Sequence, residues 1–189
     1  MFRSSNAQKR TTMTDLELAE RTREGDRNAF RQLLERHYDT AYRVALRFTG
    51  SAPDAEDIAQ DVCLALVDKL RSFRGQSRFS TWFYRVVVNA CRDHHRKQKT
   101  AAALQASYAV FRELDQADQI DDAKRLGWLG EAIAGLQPTL RETAILVLAE
   151  DLTHRQAAAA LGCAERTVSW RMHEVRKQLR MRVDTLHDR

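Results

Sequence analysis

The residues of this chain whose types and spacing most suggest chemistry are Cys91, His94 and His95, in the order Cys-x-x-His-His. Thiolates and imidazoles bind zinc, and on a helix these side chains would lie on adjacent turns. A structural zinc site takes four protein ligands, and this run supplies no fourth. Cys91 and His94 also belong to the apolar face of a predicted helix. We therefore predict no metal, no cofactor and no catalytic site. A two-domain enzyme stays as an alternative, which a zinc assay on the purified protein would test.

A stretch rich in aromatic residues and arginines, FRGQSRFSTWFYRVVVNACRDHHRK at positions 73–97, contains this run. Rings beside arginines occur in ordinary amphipathic helices and also in surfaces that stack unpaired nucleic-acid bases. The positions of these residues around a helix show which of them belong to a core and which to a surface. The apolar positions predict part of a core: Trp82, Phe83, Val86, Val87 and Cys91. The loop at 73–80 and the polar residues on the opposite helix face predict a nucleic-acid surface.

The composition supports a folded helical protein with a polyanionic partner. Hydrophobic residues make up 43% of the 189 positions, enough for packed cores, and two prolines with seven glycines favour helices. The net charge of +5 suits a nucleic acid but does not identify one. Three widely separated cysteines, no apolar leader and no run of about 18 apolar residues predict a reduced, cytoplasmic protein without a membrane span.

Apolar periodicity predicts three helices in the first half of the chain. The first runs from Phe30. The second covers DAEDIAQDVCLALVDKL after a break at GSAPD, where Gly50 ends one helix and Asp54 caps the next. The third follows the loop RSFRGQSRFST. The first half of the second helix carries four acids, more than a helix dipole needs, which indicates a basic partner for that surface.

The second half of the chain has the pattern of a helix-turn-helix. Pro138 fits the first turn of a helix, and Thr153 followed by Gln156 is a capping box that starts the short helix HRQAAAAL. That helix ends at Gly162, and a basic helix begins near Glu165.

Spacing of about 100° per residue divides the last helix into two faces. The apolar stripe consists of Val168, Met172, Val175 and Leu179, and the face opposite it consists of Arg166, Trp170, His173 and Lys177. Trp170 either packs on a neighbouring arginine at the surface or contacts base edges in the major groove.

These elements predict an all-α fold of two small helical domains, an N-terminal helical bundle and a C-terminal helix-turn-helix domain, joined by a linker. The predicted segments are a disordered tail at 1–13, the first domain at 14–98, the linker at 99–126 and the second domain at 127–189. Whether translation starts at Met1 or Met13 stays open.

Both halves resemble one known family, the extracytoplasmic-function (group IV) bacterial sigma factors. Its region 2 resembles DAEDIAQDVCLALVDKLRSFRGQSRFSTWFYRVVVNACRDHHRK, with AED-x-x-Q-D, F-R-G, TW-x-x-R and N-x-C-R-D in the family's order. Its region 4 resembles LQPTLRETAILVLAEDLTHRQAAAALGCAERTVSWRMHEVRKQL. The match covers about residues 14 to 97 and 127 to 180, and two independent motifs in the right order make it specific.

The resemblance implies a factor that directs core RNA polymerase to specific promoters and helps to melt them, without being an enzyme itself. Core polymerase would bind Asp57, Gln60 and Asp61. The −10 element would bind Phe73, Arg74, Gly75, Gln76, Ser77, Arg78, Phe79, Ser80, Asn89, Arg92 and Arg96. The −35 element would bind Arg166, Thr167, Ser169, Trp170, Arg171, His173, Glu174 and Lys177. An anti-sigma factor that holds the protein inactive is a third partner implied by the family.

Some positions depart from the family pattern. The first helix of the helix-turn-helix reads Gln-Ala-Ala at 156–158 in place of Glu-Ile-Ala, and Arg166 replaces a common glycine. Ser169 and Glu174 stand where basic residues are common, so the −35 sequence is not predicted. The alternative function is a helix-turn-helix regulator that acts without binding core polymerase. Such a regulator binds duplex DNA unaided, whereas a sigma factor of this group needs the core enzyme.

Overall fold

The computed structural model describes residues 13–106, 132–133 and 135–187, and the regular structure within these ranges is helical throughout. This confirms the predicted all-α class. The helices are α1 Asp15–Arg23, α2 Arg27–Thr49, α3 Ala52–Leu70, α4 Phe79–Ala106, α5 Pro138–Ala144, a π-helical turn Ile145–Ala149, α6 His154–Leu161 and α7 Glu165–His187. The predicted tail up to residue 12, and the predicted linker from residue 107 onward, lie outside the described residues.

Helix α1 was not predicted, although the sequence carries a signal for it. Thr14 and Glu17 form a capping box, in which the Thr14 side chain accepts from the Glu17 backbone and the Glu17 carboxylate accepts from Thr14 N at 2.7 Å. Thr14 and Glu17 have the same Thr-x-x-Glu/Gln spacing as Thr153 and Gln156, so the sequence pattern that predicts the second capping box also predicts the first.

The start of α3 corrects the predicted cap. Ser51, not Asp54, is the N-cap residue, with extended backbone and a hydroxyl that accepts from Asp54 N at 3.4 Å. Pro53 occupies the first turn, where a missing backbone N–H has no cost, so the helix begins before Asp54. Gly50 ends α2 with a φ of 71°, as predicted.

Helix α4 is longer than predicted at both ends. It begins at Phe79, inside the predicted loop, and continues to Ala106, eight residues into the predicted linker. The segment KTAAALQA at its end contains strong helix formers and neither glycine nor proline, so nothing local stops the helix there.

Helices α1–α4 form the first domain around one apolar core. Phe83, Val86, Val87 and Cys91 are buried in it, as predicted, and Trp82 packs half-buried at its edge. Full burial of a large apolar side chain contributes about 1.5–3 kcal/mol. Phe83 is 1% exposed, and its ring lies 5.1 Å from that of His37 on α2, so its burial helps to hold α4 against α2.

Helices α5–α7 form the second domain. Pro138 lies in the first turn of α5, Thr153 and Gln156 form the capping box of α6, and Gly162 ends α6 with a φ of 71°, all as predicted. On α7, Val168, Met172 and Val175 are fully buried and Leu179 is partly buried, which confirms the predicted apolar stripe.

The two domains contact each other where α6 packs on α4. Val88 of α4 is fully buried in a cluster with second-domain residues such as Leu146, Ala157 and Met172. In the part of the chain that the structure describes, no helix has the length and apolar character needed to cross a membrane.

Candidate nucleic-acid interface

The loop between α3 and α4 is held at both ends by aromatic rings. Phe73 and Phe79 are 3% and 4% exposed, with ring centroids 5.5 Å apart in an edge-to-face arrangement. Trp82 packs against both, at 5.1 Å from Phe73 and 5.4 Å from Phe79. The rings of Phe73 and Phe79 are therefore core groups that fix the loop, and a contact of Phe73 or Phe79 with −10 DNA stays a prediction. The residues at 74–78 between them are exposed.

A cleft of about 370 Å³ opens beside this loop. Volumes of this size are found at the lower end of small-ligand sites, which span about 300–1,000 Å³. Five residues predicted for the −10 element line it: Phe73, Arg74, Gln76, Ser77 and Asn89. An aromatic wall, cations and amides are the groups that hold an unstacked base and its phosphates.

Five further residues line the cleft, and the sequence prediction for the −10 element did not include them: Lys69, Ser72, Trp82, Arg85 and Val86. Arg85 lies one helical turn before Asn89, so helical spacing alone could have included it. Trp82 is both a core residue and a wall of the cleft. Lys69 is the penultimate residue of α3, and no signal in the sequence connects it with the loop.

The remaining loop residues face other surfaces. Gly75, Phe79 and Ser80 line a separate cleft with the start of α1, and a Cβ at Gly75 would lie 3.5 Å from Leu16 Cδ1. Gln76, Ser77 and Arg78 also line a cleft between the domains, opposite Thr153, Arg155 and Gln156 of the second domain.

Arg92 does not present a free guanidinium to solvent. It donates to Glu142 of α5 from Nε at 3.1 Å and from Nη2 at 2.6 Å, and this pairing raises its pKa. In this arrangement of the domains Glu142 occupies the guanidinium of Arg92, and contact of Arg92 with DNA stays a prediction. Arg96 is exposed and pairs with Asp93 on its own helix at 3.0 Å, and Asn89 is exposed.

The acidic face of α3 is open to solvent. Asp57, Gln60 and Asp61 are all exposed. One turn further along, Leu64 is 79% exposed and Val67 is 41% exposed. Leu64 and Val67 are three residues apart, so the exposed face of α3 carries two neighbouring apolar side chains beside its acidic residues.

Most side chains predicted for the −35 element lie on the outer face of α7. Trp170 is 63% exposed, and Arg166, Ser169, His173 and Lys177 are also exposed. Thr167, Arg171 and Glu174 are partly buried. Ser169 Oγ hydrogen-bonds His154 Nδ1 at 2.9 Å, and Glu174 accepts from Gln178 Nε2 at 2.9 Å. These contacts fix two of the predicted reading residues before any DNA is bound.

The Cys-x-x-His-His run is used for packing and local pairing. Cys91 is 4% exposed, and burial, with a smaller contribution from Glu142, raises the pKa of its thiol to about 12. His94 pairs with Asp54 at 3.3 Å and lies 3.0 Å from Gln98 Nε2. Among the described residues, no three His, Cys, Asp or Glu side chains converge as metal ligands would.

Comparisons with known proteins cover both halves of the chain. Sigma-70 region 2 matches residues 33–101, and Sigma-70 region 4 matches residues 126–179. The ECF RNA polymerase sigma factor SigM of Mycobacterium tuberculosis is 33% identical over 168 residues, which cover 88% of this chain and 83% of that protein.

Two solved structures share the arrangement of helices. The structure of CnrH in complex with the cytosolic domain of CnrY has a TM-score of 0.68 at 26% identity, over 90% of this chain and 97% of that one. The sigma factor RpoE in complex with the anti-sigma factor NepR from Bartonella quintana has a TM-score of 0.63 at 26% identity, over 82% and 96%. With both regions matched in order and a relative aligned over most of its length, this chain belongs to the extracytoplasmic-function family of RNA polymerase sigma factors.

Proposed function

We propose that this chain binds core RNA polymerase through the acidic face of α3 and directs it to promoters that the loop after α3 and the outer face of α7 recognise. The exposed face of α3 carries the proposal. Two carboxylates and an amide, Asp57, Asp61 and Gln60, lie within the two turns before the apolar side chain of Leu64, which is 79% exposed. A basic helical surface with an apolar contact point fits this face, because charge gives orientation and the buried leucine gives affinity.

Promoter melting is assigned to the cleft beside the loop. Removing a base from the DNA stack costs a few kcal/mol. A base held on an aromatic surface recovers about 1–3 kcal/mol, and nearby cations hold the backbone. Trp82, Arg74 and Arg85 supply these groups around one cleft. This supports single-stranded −10 DNA as its ligand.

Duplex recognition is assigned to α7. Trp170, His173 and Lys177 are exposed on one face, while the opposite face is buried in the domain. This is the geometry with which the second helix of a helix-turn-helix enters the major groove. We assign the protein no catalytic role, and a cytoplasmic location stays a prediction.

Control by an anti-sigma factor is the further part of the proposal. It is supported by the structural relatives, since RpoE of Bartonella quintana was solved in complex with the anti-sigma factor NepR. An inhibitor of this kind would have to cover α3, the cleft or α7. The three surfaces are exposed on the described part of the chain.

Transcription with purified core polymerase tests the function. The full chain added to core enzyme should produce promoter-specific transcripts that core enzyme alone does not make. The Asp61→Arg variant should lose them while keeping its fold, because Asp61 is exposed. If the wild-type chain yields no new transcript but shifts a duplex without polymerase, it acts as a helix-turn-helix regulator and the sigma function is wrong.

A further inference from the structure

A carboxylate of the second domain is buried among cationic groups of the first. Glu150 follows the π-helical turn, and its side chain is 1% exposed. Arg43 donates to it from Nε at 3.2 Å and from Nη2 at 2.9 Å. Arg47 also donates to the carboxylate, and Tyr84 Oη donates to it at 2.9 Å. We call these four residues the Glu150 cluster.

The backbone around Glu150 is shaped to place this carboxylate. The π-helical turn ends at Ala149, whose carbonyl accepts a second bond from Arg47 at 2.7 Å. Asp151, the next residue, has a φ of 52°, a left-handed conformation that only a few residue types tolerate. A π-helical turn followed by a left-handed residue is an uncommon geometry, and such turns are enriched at functional sites.

The cluster holds together the two domains that carry the promoter-binding surfaces. The Glu150 cluster lies at the interface where Val88 of α4 is buried against the second domain. Glu142 pairs with Arg92 at the same interface. A buried carboxylate is stable only while its partners remain, because removing them leaves an uncompensated charge. Separation of the domains therefore requires the Glu150 carboxylate to be transferred to water or to another cation.

The closed arrangement occupies groups that are predicted to bind −10 DNA. Arg92 pairs with Glu142 of the second domain, and Gln76, Ser77 and Arg78 of the loop line the cleft between the two domains. Binding of a promoter strand by these groups therefore competes with the contact between the domains.

We propose that Glu150 is an intramolecular latch: bound by Arg43, Arg47 and Tyr84, it keeps the two domains closed, and promoter recognition requires its release. The consequence for promoters rests on the proposed function. The latch itself is a property of the isolated chain. The arginines form a carboxylate-binding site on the first domain that the chain fills with its own second domain.

The Glu150→Gln variant tests the latch in the full chain without polymerase. Glutamine keeps the size of the side chain and removes the charge that holds Arg43 and Arg47. Asp151→Asn is the matched control. It removes one negative charge at the next position, and asparagine tolerates the left-handed backbone found there. Arg43→Gln removes one of the cations that bind Glu150. Arg43 lies on the first domain, and its side chain is 46% exposed.

Two measurements report domain separation. The radius of gyration from small-angle X-ray scattering should rise in Glu150→Gln and Arg43→Gln. The alkylation rate of Cys163, which packs partly buried against the interdomain cluster, should rise several-fold relative to that of Cys63. Cys63 lies on α3 in the first domain and serves as a reference within the same molecule. Asp151→Asn should match the wild type in both.

The outcomes separate the latch from the proposed function. If Glu150→Gln keeps the wild-type radius of gyration and the wild-type Cys163 to Cys63 ratio, Glu150 is not a latch, whatever the transcription assay shows. If the variant opens and forms more promoter complex than the wild type at limiting core polymerase, both proposals stand. If it opens while no form of the chain supports transcription, the latch stands and the sigma function is wrong. Unfolding of both latch variants, seen as loss of helical circular dichroism, would make Glu150 a structural group and overturn the latch.

Discussion

Arg92 of α4 and Glu142 of α5 form a bidentate ion pair between the two domains, with Nε 3.1 Å from Oε1 and Nη2 2.6 Å from Oε2. The two residues are 50 positions apart in the sequence. A bidentate carboxylate satisfies the same guanidinium edge that a DNA phosphate would use. Arg92 therefore binds either Glu142 or DNA through that edge.

Releasing Arg92 should strengthen binding to single-stranded −10 DNA. In Glu142→Gln the guanidinium loses its charged partner and becomes available to a phosphate. We expect tighter binding, and a plot of log K against log salt steeper by about 0.7, which corresponds to one more phosphate contact on a single strand. Fluorescence anisotropy over a salt series measures both. Glu20→Gln removes the same charge on α1 and should change neither.

Replacing Trp170 should impair −35 recognition without destabilising the domain. The side chain is 63% exposed, so Trp170→Ala should change the free energy of unfolding by less than about 0.5 kcal/mol. Binding of a −35 duplex should weaken about tenfold or more, equivalent to about 1.4 kcal/mol. Trp170→Phe, which keeps a ring, should lose less. Loss of core-polymerase binding in Trp170→Ala would show that core binding and −35 recognition have been assigned to the wrong surfaces.

The acidic face of α3 should control association with core polymerase. Asp61→Arg reverses a charge on an exposed position, and Leu64→Ser removes the apolar contact beside it. Each variant should reduce co-purification with core polymerase at unchanged thermal stability. Glu20→Arg, a charge reversal on α1, is the control. Wild-type recovery of core enzyme by both α3 variants would exclude this face as the docking site.

The capping box of α6 should contribute measurably to stability. Thr153 Oγ1 accepts from Gln156 N at 3.3 Å, and Gln156 Oε1 accepts from Thr153 N at 2.9 Å. Thr153→Ala removes the hydroxyl and should lower the free energy of unfolding by about 1 kcal/mol, while Thr153→Ser keeps it. Urea denaturation measures the difference. Equal midpoints for the alanine and serine variants would contradict a role for the hydroxyl.

Stability should depend on Tyr84 at alkaline pH. Burial, and then the hydrogen bond to Glu150, raises the pKa of Tyr84 to about 12, from 10. A raised phenol pKa favours the neutral form in the folded protein, so this contribution is complete below pH 10 and is lost as the pH rises towards 12.

Tyr84→Phe cannot ionise and provides the comparison. The difference in free energy of unfolding between wild type and Tyr84→Phe should be constant from pH 7 to about pH 10. Above pH 10 the wild type should lose stability relative to Tyr84→Phe. Thermal unfolding across this range measures it. A difference that changes between pH 7 and pH 9 would point to another group.

Local sequence signals decided where most helices begin and end. Thr153, Gly162 and Pro138 act on backbone groups within four residues of themselves, so their effects can be read without knowing the fold. The apolar spacing of α7 likewise determined that Val168 and Met172 are buried. The length of α4 was predicted less well, since an alanine-rich segment is compatible with both a helix and a linker.

Tertiary structure decided which of the predicted site residues are available. Phe73 and Phe79 belong to the loop that is predicted to contact DNA, and the structure shows that their rings also complete the core. Lys69 reaches the cleft only because α3 and α4 meet there. The spacing of residues within one helix does not show which helices contact each other.

The sequence by itself determined the helical class, the helix-turn-helix and the family. Tertiary structure decided that Glu150 is buried against Arg43, 107 positions away, and that Val88 completes the apolar cluster of the other domain. Periodicity and caps describe neighbours three or four residues apart, whereas these contacts depend on how two separately folded surfaces meet. Their stability comes from burial and charge compensation across that interface, because only there are both partners removed from water.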